Sequence, residues 1–181
     1  MTTPSGECSL SSGEVRKTLA LLGAFAMFLS TIDFMIPKPI PTMRIGFANV
    51  PLMLALDMFP FRIFLVLVAL KVAGQALVTG TLFSPIFLFS LAGTTLAASA
   101  MYGLRRLCGS KHLSFVGLGT LGAMISNSAQ LLMASLWLMG GAVRFIAPVY
   151  FASGLISGVT LGAFCEAFTR RSRWYAERRI R

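Results

Sequence analysis

The stretch Ile36–Val50, "IPKPIPTMRIGFANV", places three prolines and two cations within fifteen positions between two long apolar runs. Each proline lacks a backbone N–H and holds φ near −65°, so no helix can run through Pro37, Pro39 and Pro41. The flanking runs are therefore separate elements, joined by a connector that is extended by its prolines. Such a connector can lie over the end of a helical bundle as a semi-rigid flap. It can equally be a plain link whose Lys38 and Arg44 reach lipid headgroups.

Working outward, the composition names the solvent. The 181 residues are 56% hydrophobic and 12% charged, with a mean hydropathy of +0.78, which leaves too little polar surface to cover a water-soluble globule. An integral membrane protein is expected, all-α, because only helices and closed barrels satisfy their backbone in lipid and the runs are long enough for helices. The net charge of +10 is spread in short clusters between apolar runs. That spacing speaks for membrane topology and against a nucleic-acid footprint.

A spanning helix needs about 20 mostly apolar residues. The runs are 18–36, 49–60, 61–80, 85–104, 113–139 and 145–168, of which the second is short. Asn49 is placed to cap its start, Pro51 falls in its first turn, and Pro60 ends it. "TGTLFSP" supplies the turn between the third and fourth spans. Charge then counts the crossings. With six spans, Arg16, Lys17, Arg62, Arg105, Arg106, Lys111 and six C-terminal arginines share one side, against Lys38, Arg44 and Arg144 on the other. The positive-inside rule makes the first side cytoplasmic, with both termini, and five spans would export the C-terminal arginines. The expected organisation is a cytoplasmic tail over 1–17, a six-helix membrane domain over 18–168 and a basic cytoplasmic tail over 169–181, in a prokaryotic plasma membrane. The N-terminal tail carries no apolar stretch before its small residues, so the first span is expected to stay in the mature protein.

Polar residues inside the spans need reasons. Lys71 lies nine residues beyond Arg62, about 13 Å deep at 1.5 Å per residue. An unpaired lysine there costs roughly 2.5 to 3.5 kcal/mol, so it should face the protein interior with a compensating partner. Gln75, at i+4, shares its face. Asp33 is the acid placed to pair with Lys71, whereas Asp57, near the far end of its span, is within reach of Arg62 or water. In the fifth span Asn127 and Gln130 stand three apart on one face, with Ser126 beside Gln130. These amides either tie helices together or line a cavity of the kind that holds a transporter's substrate. Gly154, Gly158 and Gly162, and likewise Ala20 and Ala24, repeat every four positions. Such ridges allow close helix contact, within the bundle or with a partner's helix. Cys8, Cys108 and Cys165 are odd in number and lack metal-ligand spacing, with His112 the lone histidine, so they are read as reduced and structural.

Taken together, "DFMIPKPIPTMRIGFANVPLMLAL", "LKVAGQALVTGTLFSPIFLFSLAG", "GAMISNSAQLL" and "PVYFASGLISG" resemble the Gx transporter family, also called heptaprenyl diphosphate synthase component I. Asp33 stands where that family usually has glutamate, Arg44-Ile45-Gly46 and Ala48-Asn49 match its loop motif, and Lys71 stands for a usual arginine. Gly80, Ser84, Pro85, Ser90 and Gly93 match as well. The family's His-Asn-x-Gly-Gln appears here as Ser126-Asn127-Ser128-Ala129-Gln130. The resemblance extends to the substrate-binding S components of energy-coupling-factor transporters. It implies six helices, a site near the outer face under the loop after the first helix, and small residues on that helix, here Ala20 and Ala24, that meet an energising transmembrane subunit served by ATPase subunits.

Catalysis is not expected. Diphosphate chemistry needs clustered carboxylates around magnesium, and Asp33 and Asp57 belong to opposite span ends; no P-loop, zinc spacing or Ser/His/Asp set is present, and no cofactor or metal is expected. The reading that remains is a substrate-binding subunit for uptake of a small anionic metabolite, vitamin-like or related to an isoprenoid or flavin precursor. Its expected site is Asp33, Arg44, Asn49, Lys71, Gln75, Asn127 and Gln130. The alternative is a non-catalytic scaffold or subunit of a prenyl diphosphate or quinone biosynthesis complex.

Overall fold

In the computed structural model the described residues are 12–36 and 46–178, and all secondary structure among them is helical. The helices are α1 (Ser12–Met35), α2 (Val50–Ala55), α3 (Phe61–Thr79), α4 (Pro85–His112), α5 (Phe115–Ala134), α6 (Val143–Arg171) and α7 (Arg173–Arg178). The protein is a multi-pass membrane protein: α1, α3, α4, α5 and α6 are each long and apolar enough to cross a bilayer. Their ends follow local chemistry. Pro60 precedes α3 in an extended conformation, and Gly80, at φ 66°, closes it in the left-handed region that a side chain resists. Ser114 caps α5 by accepting from the Gly117 N–H at 3.1 Å. Gly109, at φ 70°, kinks the end of α4.

Contacts fix the direction of each helix. Gly23 of α1 faces Leu67 and Leu70 of α3, and Met27 faces Gly74, so the two helices run the same way. The chain between them must therefore return across the bundle. It does so through a 3₁₀ turn (Phe47–Asn49), α2 and four further residues to Phe59. This second span is too short to cross lipid and does not have to, because it is walled in by protein: Leu52, Ala55, Met58 and Phe59 have no exposed surface. Irregular backbone at membrane depth is tolerated only when so enclosed. α4 runs against α3, with Phe64 near Tyr102 and Lys71 near Thr94. α5 opposes α4 and α6 opposes α5, so the chain makes six passages and Ser12 and Arg178 lie at one end, here the proximal end.

The core sits in the proximal half, around Leu52, Met53, Leu56, Phe59, Phe64, Leu67, Leu118 and Cys165. α5 and α6 meet there along glycines. A Cβ on Gly158 would lie 2.8 Å from the Gly119 carbonyl oxygen, and one on Gly162 would lie 2.5 Å from the Val116 Cα. Gly154 faces Asn127 in the same interface. The ridge that the sequence offered to a partner's helix is thus spent on internal packing, while Ala20 and Ala24 remain exposed on α1.

One further reading changes. Asp57 is held by Arg105, not by Arg62: the guanidinium of Arg105 donates to both carboxylate oxygens at 2.9 and 2.6 Å, and the Tyr175 hydroxyl donates to Oδ2 at 2.7 Å. Arg105 also donates to the Leu113 carbonyl and lies 4.6 Å over the Phe115 ring. Arg62 is exposed. The basic C-terminal segment is correspondingly folded in part: α7 buries Tyr175 to 3% exposure and clamps the proximal end of the short second span. Of the cysteines, Cys108 is exposed and Cys165 buried, both unbridged, and Cys8 lies outside the described residues.

Candidate functional site

A pocket of about 50 Å³, opening into wider space, lies between α1, the residues around Asn49, and α3 to α6.

Lys71 is the only cation among its described lining residues. It is 5% exposed, and its ammonium donates to Asn49 Oδ1 at 3.1 Å and to Thr94 Oγ1 at 3.5 Å. Asn49 is therefore not a helix cap, since its side chain makes no capping bond and its oxygen is taken by Lys71. Asp33 lines the same cavity from the distal end of α1 at 2% exposure, and the Gly46 N–H approaches its Oδ2 at 3.5 Å. Gly46 adopts φ 90°, a conformation that favours glycine, which turns the chain from the proline connector into the 3₁₀ turn beside Asp33.

Gln75 lines the cavity one turn above Lys71. It is 5% exposed, and its buried Oε1 has no hydrogen-bond partner among the described residues. Buried amides are normally satisfied, so this oxygen is an acceptor open to a donor. On α5, Gln130 donates to Ser126 Oγ at 3.0 Å. Gly93 permits this: a Cβ on it would stand 3.1 Å from Gln130 Cγ and from Ser126. Asn127 has two roles. Its amide nitrogen donates to the Tyr150 carbonyl of α6 at 2.6 Å, which ties the helices, while the residue also lines the cavity.

Asp33, Asn49, Lys71, Gln75, Asn127 and Gln130, separate in sequence, thus share one cavity. Arg44 and the connector residues Pro37, Lys38, Pro39 and Pro41 lie outside the described residues. Sequence reasoning passed over Thr94 and Ser157, because a lone hydroxyl in an apolar helix normally bonds its own backbone and gives no signal. It also passed over Met53 and Met101, which read as ordinary core. The arrangement provides a desolvated cation, a carboxylate and several amides and hydroxyls, suited to holding a small molecule by charge and hydrogen bonds.

A family model described as heptaprenyl diphosphate synthase component I matches residues 22–168. No curated protein and no solved structure matches the chain.

Proposed function

The chain belongs to the heptaprenyl diphosphate synthase component I family, and on that premise we propose that it is a membrane-embedded binding subunit for uptake of a small polar metabolite, gripped through a negatively charged group, carboxylate or phosphate. The observation that carries this reading is Lys71, buried mid-helix yet facing a cavity edged by amides and hydroxyls. A lysine kept only for structure is better served by a sealed pair, whereas an open cavity beside it suits an exchangeable anion. Asp33 is its counter-charge at rest, and Asn49, already bonded to Lys71, borders the site. The charged groups of the cavity lie toward the distal end, which we assign to the outer face of a prokaryotic plasma membrane, with both termini cytoplasmic by the positive-inside rule. Energy comes from other subunits, of the transmembrane and ATPase kind that serve energy-coupling-factor transporters, and the exposed Ala20 and Ala24 suit a close helix contact with the first of these.

We assign no catalytic role. Asp33 and Asp57 stand at opposite ends of the bundle, and Asp57 is consumed by Arg105 and Tyr175, an arrangement that does not suit magnesium diphosphate chemistry. The family's description supports a second reading, a non-catalytic component of a prenyl diphosphate-synthesising assembly. Mass spectrometry of small molecules co-purifying with the protein separates the two. A reproducible anionic ligand, lost in Lys71→Met, is expected. Co-purification of protein partners alone, with an empty cavity, favours the second reading.

A further inference from the structure

The cavity is not polar throughout. Its charged and amide groups, Lys71, Asp33 and Gln75 among them, occupy the distal part, and going proximally the lining becomes Ala97, Met101 and Met53. Along α4 this change runs from Thr94 to Met101, a distance of about 10 Å at 1.5 Å per residue. A compact hydrophilic anion would use only the first part of such a site. The floor, moreover, is adaptable. Met101 lies on Gly122, where a Cβ would stand 2.6 Å from its sulfur, and Met53 lies near Gly119, whose Cβ would stand 3.2 Å from its Cε. Unbranched thioethers over side-chain-free backbone can swing aside at little cost and refit around an apolar group.

We infer that the ligand is amphipathic, with an anionic head held at Lys71 and an apolar arm of up to about 10 Å directed proximally onto Met53 and Met101. This rests on the substrate-binding reading above and adds the class of substrate to it. The head end is marked by the Lys71 ammonium; the unsatisfied Gln75 Oε1 one turn away is an acceptor, to be met by a hydroxyl or amine of the ligand or by water and not by the anionic group itself. The methionines mark the arm end, since their unbranched thioethers can refit around an apolar group.

The test is calorimetric titration of the purified full chain in lipid nanodiscs, with empty discs subtracted to remove partitioning. Hexyl phosphate is compared with inorganic phosphate, and hexanoate with acetate, so that the two head chemistries are distinguished. At least one long-chain probe should bind about tenfold or more tighter than its armless counterpart, the effect of burying a few methylenes. Gly122→Ala, which pushes Met101 into the cavity, should reduce that preference below about threefold while leaving the armless anion unaffected. Ala123→Leu, which fills the floor from a partly open position on α5, does the same should Gly122→Ala fail to fold. Equal binding within both pairs, or a preference that survives both substitutions, overturns the inference while the anion-binding reading stands. Failure of all four probes at millimolar concentration overturns it too, and the co-purified ligand then decides the broader reading separately.

Discussion

Gly158→Ala tests the architecture at its tightest point. Its Cβ would stand 2.8 Å from the Gly119 carbonyl oxygen and 2.8 Å from the Thr120 Cα, about 0.6 Å inside the 3.4 Å at which ordinary contact begins. Both obstacles are backbone, so no rotamer change relieves them and α6 must retreat from α5 along its length. Overpacking a well-filled interface costs about 1 to 3 kcal/mol, and unyielding neighbours place this case near 2 to 3. For a chain of this size each kcal/mol lowers Tm by about 2 to 4 °C, so a fall of roughly 4 to 12 °C is expected. The assay is thermal unfolding of the detergent-solubilised protein followed by circular dichroism. Gly103→Ala is the matched control: nothing lies within 4 Å of its Cβ, and a mid-helix glycine replaced by alanine gains about 0.5 to 1 kcal/mol. If Gly158→Ala melts with the wild type, the glycine ridge does not lie in an internal interface and the packing of α5 on α6 is wrong.

Three other outcomes follow from the same geometry. Asp57→Asn should destabilise by about 3 to 5 kcal/mol, because Arg105 at 6% exposure loses its charge partner, whereas Tyr175→Phe should cost only about 1.5 to 3 kcal/mol; parallel thermal melts rank the two. Ala24→Leu should leave the melt unchanged, since Ala24 is exposed, but weaken pull-down of an energising partner; a lowered melt with unchanged pull-down reassigns the α1 ridge to internal packing. Membrane-impermeant thiol reagents applied to intact cells should label a cysteine placed at Thr42 and leave Cys8 and Cys108 unlabelled, and the reverse pattern inverts the topology.

Much of this was legible in the sequence because membranes constrain it so tightly. The long helices follow from apolar runs, and the return crossing from the parity of charge clusters. The polar groups of the cavity stood out because Lys71, Gln75, Asn127 and Gln130 break otherwise apolar helices. What one sequence does not carry is pairing across distance. Asp57 meets Arg105 and Tyr175 over separations of 48 and 118 residues, whereas Arg62, the nearest cation by number, is exposed. Asn49 had the residue type and position of a helix cap, yet burying a lysine ammonium without an acceptor costs more than leaving a cap unmade, and Lys71 takes its oxygen. The glycine ridge on α6 had two uses by spacing, internal packing by default and a partner's helix as the alternative, and its neighbours across the interface show the first.

The central claim, that Lys71 holds the anionic group of a transported ligand, is tested most directly by the affinity of Lys71→Met for whatever small molecule co-purifies with the wild type. The substitution keeps length and removes charge and donors, so the protein should fold and lose roughly 1.5 to 3 kcal/mol of binding, about ten- to a hundredfold, the range for charge-assisted hydrogen bonds. Lys71→Arg should retain most of the affinity. Unchanged binding in Lys71→Met, together with unfolding of Asp33→Asn, would show Lys71 to be half of a structural pair and the ligand site to lie elsewhere.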